Sequence, residues 1–180
     1  MDAIRETLDP WLGEPRRKRK QMLTTMIYRF DAETTGSPMR LKIEINQLEK
    51  QNLFDIEQRD FAVDTPWFDG EAPVRTYRLE ELLGTKLRAL YQRKKGRDLF
   101  DLWTVHQQVG FDLAEVVRCF RHYLDAQGLT ISKAEFAQNL DAKLIDPDFD
   151  ADVPPLLPGA ATWDRDQAAD FIKAELLPLL

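Results

Sequence analysis

Along the first half of the chain apolar residues tend to alternate with polar ones, and along the second half they recur every three or four positions. Residues 4–11 depart from this rule: Ile4, Leu8, Trp11 and Leu12 share one helical face before Gly13 and Pro15 end the segment. The run 22–30 is rich in β-formers, and Thr34-Thr35-Gly36-Ser37-Pro38 supplies turn residues before a second extended run over 39–45. Together these predict a β-hairpin. In its second arm Leu41, Ile43 and Ile45 alternate with Arg40, Lys42, Glu44 and Asn46, so the aliphatics face a core and the polar side chains the wetter side. Residues 61–77 are strand-like but interrupted by Pro66, Gly70 and Pro73, which predicts two short edge strands about a turn at Asp69-Gly70-Glu71.

The period then changes. Leu79, Leu82, Leu83, Leu87 and Leu90 predict a helix over 79–92, and Leu99, Leu102, Trp103 and His106 mark the buried side of another over 98–108. Residues 111–123 form a third. Ser132-x-x-Glu135 is a capping-box signature that opens a fourth, with Phe136, Leu140 and Leu144 four apart. A last helix is expected over 163–177, after a loop at 146–159 whose prolines 154, 155 and 158 mark an extended surface segment. Strands followed by helices make an α+β chain, with a sheet region over 1–77 and a helical region over 78–180.

At 180 residues, 43% of them apolar, the chain can bury a real core. No stretch approaches the roughly 20 apolar residues of a membrane span, and the opening Met1-Asp2-Ala3-Ile4-Arg5-Glu6 lacks a signal-peptide pattern, so a cytoplasmic protein is expected. The single cysteine, Cys119, has no disulfide partner and lies in an apolar helical stretch, where a buried structural thiol is expected. A net charge of -6 argues against coating nucleic acid through bulk charge. The cations are nevertheless clustered, as Arg16-Arg17-Lys18-Arg19-Lys20 and as Arg93-Lys94-Lys95-Gly96-Arg97. Each run reads either as a solvated loop or as a site for the phosphates of a nucleotide or RNA.

Two constellations could carry chemistry. Glu44, on the open face of a strand beside Lys42, could hold a divalent cation only as part of a set of carboxylates; alone it reads as a surface acid paired with lysine. Lys86, Arg93, Arg97, Asp98 and Asp101 are denser. Lys86 and Arg93 are two helical turns apart, Asp98 and Asp101 share a face of the next helix, and the short link lets all five converge. Cations there would neutralise a triphosphate while the acids orient Lys86, bind metal or accept a proton. The plainer alternative makes Asp98 a helix N-cap, with Asp101 in the first turn and the arginines as their ion-pair partners. His106 and His122 have no spacing partner for zinc, and no glycine-rich phosphate loop is present.

The string from Thr76 to Trp103, with its K-x(6)-R-x(3)-R-D-x-x-D spacing, resembles the later motifs of the AbiEii/AbiGii toxin-type nucleotidyltransferases, and Leu41-Lys42-Ile43-Glu44-Ile45-Asn46 resembles the strand bearing that family's third acid. The resemblance implies a partial nucleotidyltransferase-like antiparallel or mixed sheet followed by a helical portion. It implies nucleotide transfer from an NTP with Mg²⁺ onto tRNA or another acceptor, and an antitoxin partner. Glu44 would then be the third metal-site or base carboxylate, Lys86 a phosphate contact, and Asp98 and Asp101 the remainder of the later motif; Lys42, Arg93 and Arg97 are expected to bind nucleotide or RNA phosphates. The family's Gly-Ser and D-x-D motifs do not precede Glu44: Gly36-Ser37 sits in the hairpin turn, and Asp2 and Asp9 in the opening helix. An N-terminally truncated transferase is therefore expected, with a homodimer or partner covering the sheet edge left open. The alternatives are a degenerate fold that binds RNA or protein without catalysis, and a metal-dependent phosphodiesterase built on Glu44, Asp98 and Asp101.

Overall fold

The computed structural model describes residues 2–20, 23–46, 52–157 and 163–180. The chain divides into two compact units, Met1–Gln51 and Asn52–Leu180. The change from strand to helix falls between Thr76 and Leu79, later than the boundary of the units.

The first unit contains helix α1 (Asp2–Leu12) and strands β1 (Arg16–Lys20), β2 (Leu23–Asp31) and β3 (Pro38–Asn46). They form an antiparallel sheet in the order β1-β2-β3. The expected helix and hairpin are present; Met22 lies outside the described residues. The run 16–20, for which a solvated loop was one reading, is instead an edge strand paired residue by residue with β2, from Arg16 opposite Ile27 to Lys20 opposite Leu23. Pairing satisfies an edge of β2 that would otherwise stay open, and exposed cations on the outer strand discourage further strands from joining.

The central strand supplies the core of this unit. Met26 and Tyr28 are fully buried beside the buried Leu12, and Ile4, Leu8, Phe30, Ile43 and Ile45 pack around them. The Tyr28 hydroxyl donates to Asp9 of α1 at 2.9 Å, tying helix to sheet; burial, and after it the bond to Asp9, holds the phenol above its usual pKa. Leu41 lies on the same side by register but remains 37% exposed on an edge strand.

The second unit begins with an antiparallel hairpin, β4 (Glu57–Thr65) and β5 (Phe68–Thr76). The expected turn at Asp69-Gly70-Glu71 is corrected: those residues lie inside β5, and the chain reverses at Pro66-Trp67. Proline pre-sets the backbone angle the turn needs. The Thr65 hydroxyl closes the turn, accepting from the Phe68 amide and donating to the Phe68 carbonyl, each at 3.0 Å. Both strands therefore run to nine residues rather than the short pieces expected.

Helices follow: α2 (Leu79–Gln92), α3 (Gly96–Gln108), α4 (Leu113–Asp125), α5 (Lys133–Leu144) and α6 (Arg165–Phe171). The last helix is shorter than expected, because the chain winds on through a π turn over Ile172–Leu176 and a 3-10 turn over Leu177–Leu179. In the loop before it, Pro154–Leu156 forms a 3-10 turn, and Pro158 and Gly159 lie outside the described residues. The capping box at Ser132 and Glu135 is formed in both directions. Leu87, Leu90, Leu99, Phe120, Phe136 and Ile172 are fully buried in one core. The two antiparallel sheets and the helical C-terminal half make the chain α+β; among the described residues no strand pairs in parallel.

Two glycines set how closely the helices approach their neighbours. A Cβ at Gly84 of α2 would lie 2.4 Å from Cβ of Cys119 on α4, so only a hydrogen permits the observed packing. Cys119 is buried there, as its sequence context predicts, and desolvation pushes its thiol up to about 11. A Cβ at Gly96 would lie 2.6 Å from Cα of Asp150, which fixes the start of α3 against the 146–152 loop.

Candidate functional site

Only Arg93, Lys94 and Lys95 separate α2 from α3, so the end of one helix and the start of the next are forced together. Four of the five expected residues converge at this corner. Asp98 is fully buried and accepts two hydrogen bonds from Arg93, Nε to Oδ2 and Nη2 to Oδ1, each at 2.6 Å. This fork is the geometry guanidinium and carboxylate favour, and it holds Arg93 above its usual pKa. The Lys86 ammonium lies 2.7 Å from Asp101 and 3.4 Å from Asp98. The side chains of Lys86 and Asp101 are 30% and 41% exposed, so this pair meets solvent while Asp98 does not.

Asp98 is not the N-cap that the plainer reading made it. Lys95 holds that position, without a side-chain cap, and Asp98 sits three residues inside, where its carboxylate turns back toward α2. Arg97 departs from the other four and pairs with Asp152 at 3.6 Å.

The sequence reading missed the groups that surround this corner. Lys143 of α5 is buried and donates to the carbonyl of Leu90 and, at 2.7 Å, to that of Tyr91, capping the end of α2. Burial pushes its ammonium down to about 8, against the pull of Asp98. The loop 146–152 supplies counter-charges to the basic link: Lys94 pairs with Asp146, and the Gly96 amide donates to the Phe149 carbonyl at 2.7 Å. The alternation Asp146, Asp148, Asp150, Asp152 was the available signal. Glu81 was also missed; fully buried, it accepts from the Leu53 and Phe54 amides at 2.7 and 3.1 Å and from the Tyr123 hydroxyl at 2.5 Å. Its position inside a leucine-rich helical face concealed that role.

Glu44 and Lys42 lie two apart on β3 and form an exposed ion pair at 2.7 Å. Among the described residues no group of three or more His, Cys, Asp or Glu side chains is arranged to hold a metal, so Glu44 stands as a single carboxylate and does not by itself fit Mg²⁺. His106 stacks on Phe171 with centroids 3.9 Å apart, and His122 packs edge-on against Tyr123. Both act as aromatic packing groups.

A family model described as "Nucleotidyl transferase AbiEii toxin, Type IV TA system" matches residues 1–171. The chain belongs to this family. Its membership agrees with the K-x(6)-R-x(3)-R-D-x-x-D spacing now seen to build the α2–α3 corner. The crystal structure of JHP933 from Helicobacter pylori has a similar fold, with a TM-score of 0.53 and 18% identity over 93% of this AbiEii-family chain. That match spans 63% of the Helicobacter pylori chain. No curated protein matches. Among the described residues of the AbiEii-family chain, no helix is long and apolar enough to cross a membrane.

Proposed function

We propose that this AbiEii-family chain takes part in transferring a nucleotide from a nucleoside triphosphate, supplied as its Mg²⁺ salt, to a hydroxyl of tRNA or another RNA. The observation that carries the reading is the Lys86 ammonium, set on a helix within reach of two carboxylates and still open to solvent. Asp98 positions Lys86 and Arg93, and Asp101 holds Lys86 until a phosphate oxygen displaces it; the lysine then stabilises charge on the triphosphate. Arg93 adds positive potential beside it. The acceptor oxygen bonds to the α-phosphorus, pyrophosphate leaves, and the hydroxyl proton passes to solvent. The toxin family makes an antitoxin protein the expected partner, and a homodimer would cover a sheet edge.

The test is transfer of label from α-labelled nucleoside triphosphates to tRNA in the presence of Mg²⁺, comparing the protein with Lys86→Ala and Asp101→Asn. Lys86→Ala is expected to lower transfer by at least about 100-fold, the scale of losing one preorganised charge in a transition state. Unchanged transfer in Lys86→Ala would refute the assignment.

A second reading rests on the full burial of Asp98, whose fork with Arg93 locks two helices whether or not chemistry takes place. In that reading the chain binds RNA or protein without catalysis. No transfer with retained RNA binding selects it.

A further inference from the structure

The charge of the chain is divided unequally. Residues 1–51 contain ten Lys and Arg against eight Asp and Glu, a net +2, while the remainder carries -8. The surplus in the first unit is also sorted by side. Residues directly opposite one another in an antiparallel sheet project on the same face. The register therefore assigns Met26, Tyr28 and Ile43 to the face bearing the core, together with Arg17 and Arg19. Arg17 accordingly contributes to the potential at Tyr28.

The opposite face collects Arg16, Lys18 and Lys20 from β1, Arg29 from β2, and Arg40 and Lys42 from β3. All six are exposed. Among the described strand residues only Glu44 and Asp31 oppose them on this face, and Glu44 is engaged by Lys42. Arg29 and Arg40 are direct cross-strand neighbours, a like-charge pairing that costs stability unless an anion bridges it. The middle of the face carries Leu23, Thr25 and Ile27, and among the described strand residues it has no aromatic on which a base could stack.

We infer that this face binds the phosphodiester backbone of a nucleic-acid strand without reading its sequence. Same-face side chains along β1 are about 6.7 Å apart, twice the rise per residue. That places Arg16, Lys18 and Lys20 as a row of charges able to meet successive phosphates of an extended strand, with Arg29, Arg40 and Lys42 forming a second row across the sheet. Binding by charge alone without stacking is salt-dependent and tolerant of sequence. The inference rests on the transfer reading only for the RNA that would occupy the face, and it is measurable apart from that reading because it needs neither nucleotide nor metal.

The experiment is fluorescence anisotropy with a labelled 20-nucleotide single-stranded RNA and DNA of mixed sequence, in EDTA, over a range of salt. The protein is compared with Arg16→Ser/Lys18→Ser/Lys20→Ser, with Arg29→Ser/Arg40→Ser, and with Arg17→Ser/Arg19→Ser, which removes charge from the same strand but the other face. The triple variant is expected to make the slope of log K against log salt shallower by about 2, since each phosphate contact contributes roughly 0.7. Arg29→Ser/Arg40→Ser should weaken binding as well, and Arg17→Ser/Arg19→Ser should leave the slope within about 0.5 of the original. RNA and DNA binding alike supports a pure backbone site, and tighter RNA binding supports the site with the acceptor as its occupant. Equal losses from both faces of β1 overturn it, as does binding of free triphosphate alone with no affinity for either strand. Failure of nucleotide transfer with this pattern of binding intact would count against the transfer reading and not against the face.

Discussion

Replacing Asp98 by Asn is the sharpest test of the α2–α3 corner, because it keeps the side-chain volume and removes the charge on which Arg93 and Lys86 converge. Removing one member of a fully buried ion pair costs about 3–5 kcal/mol. Here the aspartate is fully buried but Arg93 and Lys86 are 47% and 30% exposed, so water recovers part of the loss on the cationic side. Asn retains one acceptor for Arg93 and turns its amide donors toward groups that can only donate. The remaining penalty is that of charge-assisted hydrogen bonds, about 2–3 kcal/mol. Urea unfolding followed by tryptophan fluorescence should show the midpoint of the second unit falling at constant m-value. Asp101→Asn, on the 41% exposed partner, should cost under about 1 kcal/mol. A double-mutant cycle with Arg93→Met should return a coupling above about 1 kcal/mol. If Asp98→Asn and Asp101→Asn destabilise equally, or the cycle shows additivity, the claim that Asp98 organises the corner is wrong.

Three further outcomes follow from the packing. Gly84→Ala should destabilise the second unit by about 1–3 kcal/mol or more in thermal unfolding, since its methyl would press on Cys119 and on the α4 backbone carbonyl of Val116; a neutral effect would mean the helices part freely. Cys119 should resist a thiol reagent at pH 8 in the folded protein and react on addition of denaturant, because a thiol at about 11 is almost wholly protonated; rapid native labelling would contradict its burial. Lys143 binds its proton less tightly folded, at about 8, than unfolded, near 10.4. Between those values the unfolded chain holds more protons, so this residue's contribution to stability improves as pH rises and is least favourable below pH 8. The stability of the protein relative to Lys143→Met should therefore increase from pH 8 to 10; a flat difference would show that the ammonium is not desolvated.

Much of the candidate site was legible because its determinants are local. The distance from Lys86 to Arg93 is two helical turns whatever else the chain does, and a link of three residues leaves α3 little choice but to return along α2. Hence Lys86, Arg93, Asp98 and Asp101 meet as their spacing predicts. The parts that escaped depend on groups far away in sequence. Asp152 draws Arg97 away, Lys143 caps α2 from 52 residues beyond Tyr91, and Glu81 is claimed by amides 27 and 28 residues before it.

The same division runs through the fold. Period and capping determined the helices, since a helix closes its hydrogen bonds within four residues and its apolar stripe is written directly in the chain. Strand pairing determined what the sequence could not. Read alone, Arg16 to Lys20 carries no apolar alternation and looks like a solvated run; it becomes a strand because β2 offers a row of backbone groups that need partners. The turn at Pro66-Trp67 was likewise set by cross-strand register, where proline could open a turn while Asp69-Gly70-Glu71 gained more by pairing with β4. A ladder satisfies its polar groups across chain segments, so its energy is invisible until the partner is in place, whereas a helix carries its partner with it.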